Sequence, residues 1–206
     1  MTDDQLVMKG FCLMIRPAKR TDAKQLAPLL SIILRDIELP VFAQFNDEAL
    51  NNKLIPIIEG TESRYSYTNF HVYEREEEIL GFLCGYSGGA LAQLDAHFKP
   101  FLASFNLSET QRLFEDVETV AGEWYIDSLV TAPTARGLGI GTQLLSYANV
   151  AAKAAGETQV ALNCDQQNPQ ARALYERLGF KTKGTLMIGD HTYNRMFRLL
   201  PLRDDK

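Results

Sequence analysis

The sequence has few of the residues that bind metals or form disulfides. It contains three cysteines and three histidines in 206 residues. The cysteines have no Cys-x-x-Cys spacing and lie at Cys12, Cys84 and Cys164. The histidines are far apart, at His71, His97 and His191. These patterns argue against zinc motifs and a disulfide framework. We therefore expect reduced, buried thiols, no metal site and a cytoplasmic protein.

The sequence also lacks a long apolar run and an excess of basic residues. No apolar run reaches the ~18 residues that cross a bilayer, and residues 1–8 do not look like a secretory signal. The formal net charge is −5, whereas nucleic-acid-binding domains usually carry a basic surface. We expect neither a membrane nor a nucleic acid as a partner.

The composition that remains is that of one globular domain. Hydrophobic residues make up 46% of the chain and charged residues 23%, and the length allows a proper core. No internal repeat or interdomain linker is visible. We predict a leader over residues 1–13 and a single domain over residues 14–206, with alternating strands and helices that indicate a mixed α/β sheet.

One glycine-rich segment stands between a predicted strand over 123–131 and a predicted helix over 140–155. Its sequence is Arg136-Gly137-Leu138-Gly139-Ile140-Gly141-Thr142. Glycines allow the backbone to approach a ligand closely because no Cβ intervenes. A helix that begins here directs its unpaired N–H groups and positive dipole end at that ligand. The segment therefore predicts a pyrophosphate site.

Two familiar phosphate-binding loops do not fit this segment. The P-loop requires a lysine after its last glycine, and none follows Gly141. The dinucleotide-binding Gly-x-Gly-x-x-Gly motif would place its third glycine at Thr142 or Leu144. Nucleotide or nicotinamide binding is thereby disfavoured, and the remaining pattern is Arg/Gln-x-x-Gly-x-Gly/Ala.

With this pattern the chain resembles the GNAT superfamily of acetyl-CoA-dependent N-acetyltransferases. Two further blocks carry the resemblance. Before the loop, the family's Leu-x-Val-x-Pro is matched by Leu129-Val130-Thr131-Ala132-Pro133, with Thr131 where valine is usual. After it, the family's Asn-x-x-Ala-x-x-Leu-Tyr-x-x-x-Gly-Phe is matched by Asn168-Pro169-Gln170-Ala171-Arg172-Ala173-Leu174-Tyr175-Glu176-Arg177-Leu178-Gly179-Phe180. The matches cover residues 123–180 in the family order.

The resemblance implies a GNAT-like fold, a mixed and mostly antiparallel central sheet flanked by helices. It implies acetyl-CoA as cosubstrate, without a metal, and direct transfer of the acetyl group to a primary amine within a ternary complex. The implied cofactor-binding residues are the loop, the preceding strand and the second block: Arg136, Gly137, Leu138, Gly139, Ile140, Gly141 and Thr142, then Leu129, Val130 and Thr131, then Asn168 and Tyr175. Loop N–H groups would bind the pyrophosphate, and the strand backbone would bind pantetheine where the central strands separate.

The amine must lose a proton before it attacks a thioester. A lysine-type amine has a pKa of about 10.4, so a positioned base lowers the barrier. Successive side chains of a strand point to opposite faces of the sheet. We therefore predict that one face of this strand carries Glu123, Tyr125, Asp127, Leu129 and Thr131. In the family a base or a water-relaying group often lies on this face. We take Asp127 as the first candidate base, Glu123 as the second and Tyr125 as a water relay; a structural carboxylate is the alternative for Asp127.

The departing thiolate needs a proton, and the second block supplies a donor. Tyr175 matches the family tyrosine that acts as general acid; packing in the core is its alternative role. Asn168 is expected to cap the helix that begins at Pro169, and by resemblance it also binds the pantetheine arm.

The acceptor itself stays open. Residues 1–130 hold 11 basic and 20 acidic residues, a balance of −9, and residues 131–206 hold 10 and 6, a balance of +4. The basic part suits a polyanionic cofactor, and the acidic part suits a cationic amine, unless it is only solvated surface. Residues 91–122 are predicted to form one or two short helices bordering the acceptor site. The acceptor is either a small-molecule or a peptide amine, and the donor could be another acyl-CoA. An alternative to an enzyme is a coenzyme A-binding sensor without turnover. A homodimer is also an open alternative.

Overall fold

The computed structural model describes residues 14–108, 110–111 and 117–200, and its centre is one mixed sheet of seven strands. The strands run in the order β1-β2-β3-β4-β5-β7-β6. Their bounds are β1 Ile15–Pro17, β2 Phe70–Arg75, β3 Glu78–Ser87, β4 Trp124–Thr131, β5 Gln159–Asp165, β6 Lys181–Ile188 and β7 His191–Leu199. Among these described strands only β4 and β5 pair in parallel, so the predicted fold class is confirmed.

Seven helices in the described part of the chain accompany the sheet. They are α1 Ala23–Asp36, α2 Pro40–Ala43, α3 Asp47–Ile58, α4 Leu91–Ala96, α5 Lys99–Leu102, α6 Ile140–Ala154 and α7 Pro169–Arg177. Helix α3 begins after Asn46, whose side chain accepts a hydrogen bond from the N–H of Ala49, as a helix N-cap should. Helix α1 runs through Pro28 without interruption. None of these helices is both long and apolar enough to span a bilayer.

Helices cover both faces of the sheet. Helix α1 packs against α3 and against β3 and β4, while α6 packs against β3, β4 and β5. The α6 face is marked by Gly81 on β3, where an added Cβ would lie 3.2 Å from Cγ2 of Ile140. The core between these layers consists of buried aliphatic and aromatic side chains from β2, β3, β4 and the three long helices. Cys84 and Cys164 are buried and free, as predicted, and Cys12 lies outside the described residues.

Strand β4 contains one extra residue relative to β3. Cys84 pairs with Ser128 but Gly85 pairs with Ile126, so Asp127 has no partner on β3. A bulge of this kind shifts the alternation of side chains. Cross-strand partners lie on the same face.

The bulge corrects one prediction about β4. Because Leu129 and Thr131 pair with Leu83 and Gly81, they lie on the α6 face. Glu123, Tyr125 and Asp127 lie on the other face. The five residues therefore do not share one face, because the extra residue at Asp127 reverses the pattern beyond it.

The parallel pairing of β4 and β5 is short. It runs from Trp124 opposite Val160 to Ile126 opposite Leu162 and ends there, although both strands continue. The two central strands thus separate immediately before the bulge at Asp127. This gap opens through the sheet from one face to the other.

Candidate active site

The glycine-rich segment forms the entry to α6. Gly137 and Gly139 have φ values of 81° and 77°, a left-handed conformation that glycine adopts without the cost of a Cβ. Gly139 is the N-cap residue, and no side chain caps the helix. The N–H groups of the first turn have no carbonyl partner within a helix. They are therefore available to an anion in front of α6.

The loop lies beside the end of β4 and beside α7. An added Cβ at Gly141 would lie 3.8 Å from Oγ1 of Thr131 and 3.9 Å from Cδ2 of Leu174. Arg136 and Leu138 are exposed. The predicted cofactor-binding segments, strand end, loop and second block, are therefore neighbours on the α6 face.

Helix α7 begins as predicted. The side chain of Asn168 accepts a hydrogen bond of 3.0 Å from the N–H of Ala171, with Pro169 in the first turn. Tyr175 is partly buried, and its ring lies 5.9 Å from that of Phe180. Burial and the nearby Cys164 raise the pKa of Tyr175 well above its usual value. Its phenol is therefore a neutral O–H donor at physiological pH.

A cavity of about 490 Å³ opens on the opposite face, away from α6. Helix α1 and the segment after it form one wall, and the β6–β7 turn forms another. Asp127 and Ser128 at the bulge, Tyr125 on β4 and Asn163 on β5 lie at the base, beside the gap between β4 and β5. The cavity and the glycine-rich loop thus lie on opposite faces of the sheet, the cavity beside Asp127 and Ser128 and the loop beside Thr131 at the end of the same strand.

A buried cluster of charges lines the base of the cavity. The side chain of Arg64 is 1% exposed, and its guanidinium lies 3.0 Å from Asp95, 3.2 Å from Glu118 and 3.7 Å from Asp127. Asp127 also accepts hydrogen bonds from Tyr86 at 2.6 Å and from Ser128 at 2.8 Å. Such groups persist in a low dielectric only when paired and hydrogen-bonded.

Glu118 is the second carboxylate of this cluster. One of its oxygens accepts from Arg64, and the other accepts from the Tyr125 hydroxyl at 3.0 Å. Asn163 donates to the Glu118 carbonyl at 2.8 Å and to the Tyr125 hydroxyl at 3.1 Å. The pKa of Glu118 lies above its usual value, mainly because the carboxylate is buried. The positive charge of Arg64 lowers this pKa and the negative charge of Asp127 raises it further.

Glu123 has different surroundings from those expected of a base. Its carboxylate is buried, accepts from the Thr119 hydroxyl at 2.7 Å and pairs with Arg195 at 2.6 Å. It is not among the residues that line the cavity. The structure therefore assembles Tyr125 and Asp127 at the base of the cavity and places Glu123 in an ion pair beside it.

Sequence reasoning missed Arg64 and Glu118. Arg64 lies in a polar segment between α3 and β2 that has the composition of a surface loop. Glu118 follows several acids in the connector before β4, and only its position in the fold distinguishes it from them. Neither position carries a motif, because both side chains are brought to β4 by tertiary contacts.

Comparison with known proteins agrees with this geometry. The family model of the GNAT acetyltransferases matches residues 33–180. The 5-NmdU N-acetyltransferase of Pseudomonas phage PaMx11 is 28% identical over 131 residues, covering 64% of this chain and 70% of the relative. A solved acetyltransferase structure is 34% identical with a TM-score of 0.81, covering 91% of this chain and all of that one.

Less similar structures share the fold. An N-acetyltransferase from Staphylococcus aureus Mu50 is 24% identical with a TM-score of 0.73, over 90% of this chain and all of that one. An aminoglycoside 6'-N-acetyltransferase solved with coenzyme A is 15% identical with a TM-score of 0.56, over 93% of this chain and 99% of that one. The family match spans most of the chain, and the sheet, its gap and the loop before α6 accompany it. The protein therefore belongs to the GNAT acetyltransferase family and is an acyltransferase.

Proposed function

We propose that the protein transfers the acetyl group of acetyl-CoA to a primary amine by direct attack within a ternary complex. One observation carries the proposal: the loop before α6 and the acidic cavity lie on opposite faces of the sheet, and both adjoin the part of β4 that lies beyond its last pair with β5. A thioester held on one face can reach an amine held on the other through the gap between β4 and β5. The transfer then needs no covalent enzyme intermediate.

The donor would bind along the α6 face. The N–H groups at the start of α6, from Gly139 to Thr142, would receive the pyrophosphate, and Arg136 would lie beside it. The β4 backbone from Leu129 to Thr131 continues past the last pair with β5 and would hydrogen-bond the pantetheine arm. The aminoglycoside acetyltransferase solved with coenzyme A shows that this fold accommodates such a ligand.

The chemistry requires two proton transfers. An amine that attacks the thioester carbonyl must give up a proton, and the carboxylates at the base of the cavity lie on the acceptor side, with Asp127 at the gap. As the C–S bond breaks, the thiolate takes a proton, and Tyr175 would donate it from the α7 side. General acid–base catalysis of this kind contributes on the order of 10²–10⁴ in rate.

The assay that tests the proposal follows coenzyme A release and acetyl incorporation together. Purified protein is given acetyl-CoA and a panel of amines, with propionyl-CoA and succinyl-CoA as competing donors. We expect amine-dependent thiol release with one acetyl group incorporated per thiol, and preference for acetyl-CoA. Preference for a larger donor would identify another acyltransferase. Saturable coenzyme A binding without thiol release over the whole panel would contradict the proposal and identify a binding module.

A further inference from the structure

The cavity has more negative than positive charge. Glu118, Asp127 and Asp190 contribute carboxylates to its lining, and Arg64 contributes the only basic side chain among the described lining residues. Arg64 is itself paired with Asp95, which does not line the cavity. One guanidinium is thus shared among Asp95, Glu118 and Asp127, so an entering ammonium group would meet a net negative charge.

Much of the cavity wall is apolar. Six half-buried or buried aliphatic side chains and one proline form this part: Ile33, Ile37, Leu39, Pro40, Val41, Leu107 and Ile188. A second charged group of a ligand would lose its hydration against these walls, which is costly without a partner. A volume of about 490 Å³ lies within the range of pockets for single small molecules. The cavity therefore suits a compact ligand with one cationic end and an apolar body.

The two carboxylates at the base differ in their exposure. Both oxygens of each one accept hydrogen bonds, from Tyr86 and Ser128 in Asp127 and from Arg64 and Tyr125 in Glu118. The side chain of Asp127 is 3% exposed and that of Glu118 is 11% exposed. Glu118 is therefore the carboxylate that a ligand in the cavity reaches more easily.

From this geometry we propose that the acceptor is a compact primary amine with an apolar body, that its ammonium group binds Glu118, and that Glu118 takes the proton lost before attack. The proposal rests on the proposed acetyl transfer. Arg64 acts as a positioning residue that keeps the Glu118 and Asp127 carboxylates together.

The reaction balances with these groups. The ammonium group gives one proton to the Glu118 carboxylate, and the neutral nitrogen attacks the thioester carbonyl carbon. The C–S bond breaks as the C–N bond forms, and the thiolate receives its proton from the phenol of Tyr175. The second N–H proton leaves the nitrogen as the amide forms and restores Tyr175, and Glu118 releases its proton to solvent. The products are the acetamide and coenzyme A thiol.

The raised pKa of Glu118 suits this role. Its burial and the neighbouring charge of Asp127 make the carboxylate a stronger base than an exposed glutamate. A smaller gap between the pKa values of base and amine makes the proton transfer less costly.

The first test uses the wild-type protein and three probes. Its rates with 2-phenylethylamine and spermidine are compared, and 2-phenylethanol serves as the uncharged analogue in binding to the complex with coenzyme A. We expect kcat/KM for 2-phenylethylamine to exceed that for spermidine at least tenfold and the alcohol to bind at least tenfold more weakly than the amine. A preference for spermidine, with Asp190 at the exposed rim as its second partner, would overturn the proposal and leave acetyl transfer standing.

The second test compares Glu118→Gln with Asp95→Asn. Both variants remove one negative charge from the surroundings of Arg64, but only Glu118 lines the cavity. We expect Glu118→Gln to lower kcat/KM for the amine at least 100-fold, to keep the KM for acetyl-CoA within threefold and to abolish the acidic limb of the pH–rate profile. Asp95→Asn perturbs Arg64 but leaves the Glu118 carboxylate in place, so it should keep the acidic limb of the pH–rate profile and lower kcat/KM less than Glu118→Gln does.

The outcomes separate the two proposals. If Glu118→Gln keeps the wild-type pH profile and rate, Glu118 does not act on the proton, although acetyl transfer remains established. If the wild type acetylates no amine while it binds acetyl-CoA, both proposals fail together. Should Glu118→Gln fail to fold, the comparison of 2-phenylethylamine with spermidine and the alcohol still decides the acceptor class on the wild-type protein.

Discussion

Nη2 of Arg195 on β7 donates hydrogen bonds to both carboxylate oxygens of Glu123, at 2.7 and 2.6 Å. The pair crosses β5 and ties the start of β4 to the far side of the sheet. Glu123 is 2% exposed, so the pair is buried on the Glu123 side. The pair suggests a structural role as the alternative for Glu123, which the sequence offered as the second candidate base.

We therefore predict that Arg195→Met destabilises the protein while the folded fraction stays active. Removal of one partner from a buried pair typically costs about 3–5 kcal/mol, because the other charge is left uncompensated. Denaturant unfolding should show this loss, and kcat per folded molecule should stay within about threefold of wild type. Glu123→Gln should behave similarly. A large fall in kcat with unchanged stability would instead support catalysis by Glu123.

The second prediction concerns the backbone of the glycine-rich loop. Gly139 precedes α6 with φ 77°, and Gly156 follows the same helix with φ 78°. In both cases an added Cβ would find open space. Alanine at either position should therefore cost about 1–2 kcal/mol in backbone strain. Only Gly139→Ala should also raise the KM for acetyl-CoA, by tenfold or more, because only Gly139 faces the proposed phosphates.

Gly156→Ala is the matched control for this effect. Steady-state kinetics with varied acetyl-CoA, together with thermal unfolding, would separate strain from ligand contact. If both variants show the same change in KM, the loop before α6 does not bind the donor.

The third prediction isolates the proposed acid. Tyr175→Phe removes one hydroxyl, and no hydrogen bond of that hydroxyl is found within the described residues. We expect kcat to fall about 100-fold, in line with the loss of a general acid, with an unchanged Tm. Calorimetric titration with coenzyme A should give the wild-type Kd. A variant that keeps its turnover would exclude Tyr175 from proton donation.

Much of the fold could be predicted from the sequence. The strand predicted over residues 123–131 is found at Trp124–Thr131, and the helix predicted over residues 140–155 is found at Ile140–Ala154, because each has a clear local pattern and a clear stop. The short helix Pro40–Ala43 was missed, since four residues carry no helical period.

The site residues that belong to local motifs could be predicted, and those placed by tertiary contacts could not. Gly139, Asn168 and Tyr175 belong to contiguous motifs, so their elements could be placed before the structure was known. The bulge at Asp127 depends on how β3 pairs with β4, and no local pattern specifies such a register. Arg64 and Glu118 reach the cavity through contacts between distant segments. Their functional roles stay predictions that the experiments above test.

The last prediction concerns pH and stability through His71 on β2. Its ring lies 5.0 Å from Tyr147 and 6.2 Å from Trp124, and Nδ1 is buried without a hydrogen-bond partner among the described residues. Burial lowers the pKa of His71 from 6.5 to about 4. The folded protein therefore keeps this ring neutral at a pH where the unfolded chain protonates it.

The sign follows from which state binds the proton. Between about pH 6.5 and pH 4 the unfolded chain binds one proton more than the folded protein, so stability falls as the pH falls. The full loss in the free energy of unfolding is about 3 kcal/mol. This loss is absent above about pH 7, and it no longer grows below about pH 4. Urea unfolding of wild type and His71→Phe at pH 7.5, 6 and 5 should show the variant gaining stability relative to wild type as the pH falls. Equal slopes in wild type and His71→Phe would show that His71 protonates as readily in the folded protein as in the unfolded chain.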